Sequence, residues 1–317
     1  MPALPGVVDD VARSSAEASA VSGMVLLTVA VWGGGMLVMQ SEQELWLRMF
    51  KNNFAEQARV QALVNSASGL ISFAANPIIA GLCDSIGRKP VMLASSAFGL
   101  VRCILPLISA GGLSRRSVII GELLRPFMFS TWMIGRQASL GDLFKDSPRK
   151  FSAASSKIEM IGSINMIVMP MLSAVLSARD MRLPYVVASA AYCCALIFAP
   201  FVLSETLPSP QRQSFDLRKS NPATVLKLFT NGSRLRALSA LEAIGSLCDG
   251  RATWQIQGLH RQQLLGWDMA QRGRYMSFAS VFSVAGYGVS SVIFQKLGTS
   301  AGQLTPLQNC LFTPGLQ

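Results

Sequence analysis

Six apolar stretches, each near the length a helix needs to cross a hydrocarbon layer, follow one another at residues 21–40, 60–82, 90–111, 118–140, 151–177 and 183–203. A helix of about 20 residues spans a bilayer core. In lipid the backbone must satisfy its own hydrogen bonds, so such stretches are expected to be helices. The composition points the same way. Half of the 317 residues are hydrophobic and 14% are charged, against about 25% charged in an ordinary soluble domain; the mean hydropathy is +0.39. That is too little polar surface to cover a water-soluble globule of this size. The expected fold is an all-α integral membrane bundle, multi-pass, with the lipid bilayer as its solvent.

The net charge of +11 does not point to nucleic acid. Lys and Arg stand in short clusters between apolar blocks, as in the loops of membrane proteins, and not along one face or in one arm. Cys83, Cys103, Cys193, Cys194, Cys248 and Cys310 form no CxxC pair and read as small packing residues. With one histidine, His260, a histidine-based metal site is not expected, nor is any cofactor. No nucleophile–base set, HExxH or phosphate loop is present, so an enzyme is not expected either.

Residues 1–20 carry Asp9, Asp10, Arg13 and Glu17, lack the order of a signal peptide, and read as a cytosolic N-terminal tail. Residues 21–208 then make a six-helix transmembrane bundle and 209–236 a polar, cytosolic linker. Two further spans are expected within 237–298, at 237–257 and 276–294, and 299–317 form a C-terminal tail. A short interfacial helix is expected at 223–229. Trp46, Trp254 and Trp267 fall near span ends, where indoles favour the membrane interface.

Between the second and third stretches the chain reads AGLCDSIGRKPVML, beginning at Ala80. Gly87 permits a tight reversal. Asp84 can pair with Arg88 or meet a helix N-terminus, and Arg88 and Lys89 hold the loop in the cytosol. This segment resembles the loop motif of the major facilitator superfamily. Leu82, Asp84, Gly87, Arg88 and Lys89 stand at that family's Leu, Asp, Gly and two basic positions; Ala80 and Ser85 depart from it. ASLGDLFKDSPRKFSAAS, from Ala138, is similar to the end of the family's fourth helix, and Glu205-Thr206-Leu207-Pro208 to the end of its sixth. LLGWDMAQRGRYMSF, from Leu264, resembles the approach to the eighth helix in the tetracycline-efflux-like, drug:proton antiporter branch.

The resemblance implies a fold of twelve helices in two six-helix halves. Residues 21–298 would supply the first half and about two helices of the second, so the chain reads as truncated. It also implies a secondary active transporter of a small organic solute by alternating access, with H+ as a candidate coupling ion. Asp84, Gly87, Arg88 and Lys89 would gate it from the cytosol, where the N-terminus also lies. The alternative is a truncated form that does not transport alone, and a real truncation would invite self-association.

An ionisable group at membrane depth costs roughly 2.5–3.5 kcal/mol on insertion scales unless it is paired or faces water. Arg102, Glu122, Arg125, Arg136, Glu159, Glu242 and Asp249 are therefore the candidates for substrate binding or proton coupling. Glu122 and Arg125 are three apart and expected to pair. Arg136 lies about 16 Å further along nearly the same face. Glu159 falls at the depth of Arg136 across an antiparallel hairpin, so these two are expected to form an ion pair. Arg102 has no evident partner. Glu242 and Asp249 share one face of the seventh span and, with Glu159, are the candidate proton carriers.

Overall fold

The computed structural model describes residues 5–51, 53–109, 114–217, 220–248, 257–258 and 260–297. Each of the six apolar stretches, over its described residues, lies on a long helix to within one residue: α1 (Pro5–Met49), α2 (Phe54–Ile86), α3 (Arg88–Ile108), α4 (Arg115–Leu143), α5 (Pro148–Arg179) and α6 (Leu183–Val202). Among the described residues these six are long and apolar enough to cross a membrane, α1 from Glu17 onward. α1 is longer than its apolar stretch, taking in residues read as tail and most of the charged run beyond it. It stops near Lys51, whose φ of +49° breaks the helix.

The turns are written by short polar side chains. The side-chain oxygens of Asn53, Ser114 and Ser147 accept hydrogen bonds from the backbone N–H of Glu56, Ser117 and Lys150 at the starts of α2, α4 and α5. Such caps satisfy donors that have no partner in the first helical turn. Pro148 follows its cap at the first helical position, where a missing N–H costs nothing.

The chain continues through 3-10 turns at Ser209–Gln211 and Pro222–Leu226, a single helical turn α7 (Lys227–Thr230), and helices α8 (Ser233–Cys248) and α9 (Met269–Leu297). The short helix expected at 223–229 is thus divided between a 3-10 turn and α7. The stretches at which a seventh and an eighth span are expected fall on α8 and α9, neither of which is among the six helices long and apolar enough to cross a membrane; residues 249–256, with Asp249 and Trp254, lie outside the described residues.

Apart from α3 and α4, the strong packing partners in the bundle are not sequence neighbours. α1 packs on α5 and α6, α4 on α2 and α3, and α3 on α6, while α1–α2, α4–α5 and α5–α6 touch lightly. Exchanging α1–α3 with α4–α6 maps this pattern onto itself, as in a bundle of two three-helix repeats. α9 lies along α5. α2, the counterpart of α5 under that exchange, is the most exposed of the six.

Small residues allow the close approaches. Tyr192 of α6 fits between Gly34 of α1 and Gly99 of α3, where added Cβ atoms would stand 2.7 and 2.5 Å from its ring; its hydroxyl donates to the Val31 carbonyl at 3.3 Å. Gly33, Gly34 and Gly35, consecutive on α1, all face side chains of other helices. Trp46 departs from expectation. It is buried, stacked on Phe50 with ring centroids 5.9 Å apart, because α1 runs past the end of its apolar stretch and carries the indole inside the bundle.

Candidate functional site

Charged centres and a polar cavity mark the described part of the bundle. The first is at the α2–α3 turn. Gly87 there has φ +109°, and a Cβ on it would collide with the Glu205 carboxylate, so the turn requires glycine. Arg88 ion-pairs with Asp84 one turn back and, through Nε, with Asp142 of α4 at 3.1 Å. Glu205, just beyond α6, accepts from the backbone N–H of Arg88 at 2.9 Å and of Lys89 at 3.2 Å. A carboxylate is favourable at a helix N-terminus, where free N–H groups and the helix dipole meet it. Lys89 Nζ donates to the Pro200 carbonyl at 2.6 Å. The polar segment after α6 folds back over this turn: the Gln213 N–H donates to the Asp84 carbonyl at 3.0 Å, and Arg212 stands 3.8 Å from Glu205. Four helix ends and the linker are thus tied through the four motif residues.

The second centre lies about 21 Å along α3 from Arg88. Arg102 Nη2 donates to Glu42 of α1 at 2.8 Å and to Glu122 of α4 at 2.9 Å. All three side chains are under 10% exposed. Arg125 stands 3.7 Å from Glu122, so the expected Glu122–Arg125 pair is the looser contact and Glu122 is held chiefly by Arg102. Arg102 has the partner that its surroundings in sequence did not show.

The third centre is Arg136 with Glu159, which form an ion pair as the hairpin geometry implied. The guanidinium is 1% exposed and lies 5.7 Å from the Trp132 ring; its Nε and Nη1 find no hydrogen-bond partner among the described residues. Glu242 stands on α8, and Asp249 lies outside the described residues. At the far end of the bundle Arg272 of α9, buried, pairs with Glu44 of α1 at 3.1 Å and donates to Gln262 at 3.1 Å. Among the described residues no group of His, Cys, Asp and Glu is placed to hold a metal ion.

A cavity of about 400 Å³ opens between α2 and α4. Asn65, Ser68, Gly69 and Ser72 line one wall, and Arg125, Phe129 and Ser130 the other. Sequence reasoning found Arg125 but missed the facing wall, whose signal is plain in hindsight: small polar residues at i, i+3, i+4 and i+7 share one helix face. A second cavity, of about 270 Å³, is walled by apolar side chains of α1, α5 and α6.

The sequence model of the Major Facilitator Superfamily matches residues 1–305. No curated protein gives a significant match. Among solved structures, the human organic anion transporter MFSD10 (TETRAN) is similar, with a TM-score of 0.67 and 18% identity over 87% of this chain and 72% of that one. At that identity the likeness is one of fold.

Proposed function

The chain belongs to the major facilitator superfamily, a family of transporters and not of enzymes, and from that premise we propose that it moves a small organic solute across a membrane by alternating access. The observation that carries the reading is the seam between α9 and the six-helix bundle. α9 lies along α5, and its buried Arg272 reaches Glu44 on α1. A helix of the second half meeting the first in this way is what a rocking mechanism needs. On this reading α8 and α9 are membrane helices of the second half. The loop-motif end, which also holds the start of α1, faces the cytosol, where Asp84, Gly87, Arg88 and Lys89 form the gate.

The finer assignment is to proton-coupled antiport, in the manner of the tetracycline-efflux-like branch. It is supported by the pairing of the half-buried Glu159 with the buried Arg136, since an acid that trades a cationic partner for a proton can couple the two fluxes. Glu242 and Asp249 are the further candidates. The purified chain in proteoliposomes is expected to accumulate an organic solute when a pH gradient is imposed, and Glu159→Gln to abolish that coupling. Uptake unchanged in Glu159→Gln would remove the coupling role. No flux of any solute under any gradient, with the protein folded, would favour the alternative of a truncated, non-transporting form or one that works only as a self-associated pair.

A further inference from the structure

We propose that residues 212–217, with Ser220, form a strap that holds the α2–α3 turn in its present arrangement and must lift off α2 before that end of the bundle changes conformation. This rests on the transport reading above and adds a control to it. A 3-10 turn at Ser209–Gln211 follows α6, and Arg212–Asp216 then lie against α2 without helix or strand. The Gln213 N–H donates to the Asp84 carbonyl at 3.0 Å. That carbonyl is among the last of α2, which lack partners within their own helix. The Phe215 ring and the Ser220 hydroxyl both rest on Gly81, where a Cβ would stand 3.3 Å from the one and 2.6 Å from the other. Ser220 is 6% exposed. Its N–H and Oγ both donate to the Asp216 carbonyl, at 3.2 and 3.3 Å, which folds the strap into a turn over the glycine.

The attachment is specific but shallow. Phe215 is 43% exposed, and the Arg212–Glu205 contact is 3.8 Å long between partly exposed side chains. A segment with few buried contacts opens more readily than the helices beneath it. While docked, the strap ties the end of α6 to α2 across the start of α3, because Glu205 also holds the Arg88 and Lys89 N–H groups and Asp84 also pairs with Arg88. In the other direction the chain passes through residues 221–232 into α8. The 3-10 turn Pro222–Leu226 touches α2, and α7 packs on α8. A displacement of α8 therefore pulls on the strap, and through it on the turn that carries the loop motif.

Lifting is read by trypsin on the full chain in detergent, since cleavage after Arg212 follows the population in which the strap is open. Phe215→Ala removes the ring from Gly81, and Gly81→Leu pushes both ring and hydroxyl away. Each is expected to speed that cut by about tenfold and to leave Tm unmoved. Equal cleavage in all three proteins, or faster cleavage only alongside a fall in Tm, overturns the strap. Gly81→Cys with Ser220→Cys, made with Cys83→Ala, places two thiols within disulfide reach. In proteoliposomes under a pH gradient, uptake of benzoate and of tetraphenylphosphonium is then compared before and after oxidation with copper phenanthroline. Closing the bridge is expected to stop whichever flux is present, and dithiothreitol to restore it. Full flux with the bridge closed overturns the proposal and keeps transport. A chain that moves neither ion in either redox form refutes transport for both charge classes, and the trypsin comparison still decides the strap.

Discussion

The charged cluster at the α2–α3 turn and the one around Arg102 use the same residue types to opposite ends. At the turn, Asp84 is half exposed, and Asp142 and Glu205 are each about a quarter exposed. Around Arg102, Glu42 and Glu122 are nearly sealed. Water can stand in for a lost partner at the turn but not in the core. Exposed pairs contribute about 0–1 kcal/mol and fade with salt. A buried charge that loses its partner costs about 3–5 kcal/mol. The turn can therefore break and remake its contacts during a conformational cycle, whereas the core cluster must stay intact and fixes α1, α3 and α4 to one another.

The largest expected effect is in the core. Arg102→Met leaves two carboxylates facing each other without their guanidinium, and the bundle should lose about 3–5 kcal/mol, read as thermal unfolding in detergent and indifferent to added salt. A loss below about 1 kcal/mol would sink the contrast. At the turn, Glu205→Gln keeps an acceptor for the Arg88 and Lys89 N–H groups but removes the charge at the start of α3; about 0.3–1 kcal/mol should go, with loop gating more affected than stability. Arg212→Ala should give the smallest change, about 0.5 kcal/mol or less at low salt and nothing measurable at high salt. A salt-independent loss there would mean that the linker is anchored as firmly as the core.

Much of the bundle was legible because its physical constraint is simple: hydrocarbon thickness sets span length, and the six long helices follow the six stretches. Contacts made along one helix or across one hairpin were equally readable, as with Asp84–Arg88 and Arg136–Glu159. What escaped depends on packing between distant helices. Glu42 lies in the charged run that follows the first apolar stretch, and it entered the core because α1 continues unbroken past that stretch. Its partner Arg102 is 60 residues away. The serine wall of α2 was missed because hydroxyls are inexpensive at membrane depth and draw less attention than charges.

Tyr192 seated against Gly34 and Gly99 has a mechanical consequence. A ring lodged in two backbone notches resists sliding of α6 along α1 or α3, much as a dowel joins boards. α1, α3 and α6 should therefore displace together, without slip between them. Any tilt imposed at one end of this trio would reach the Glu205 contact at the other as a lever stroke, undamped by repacking on the way.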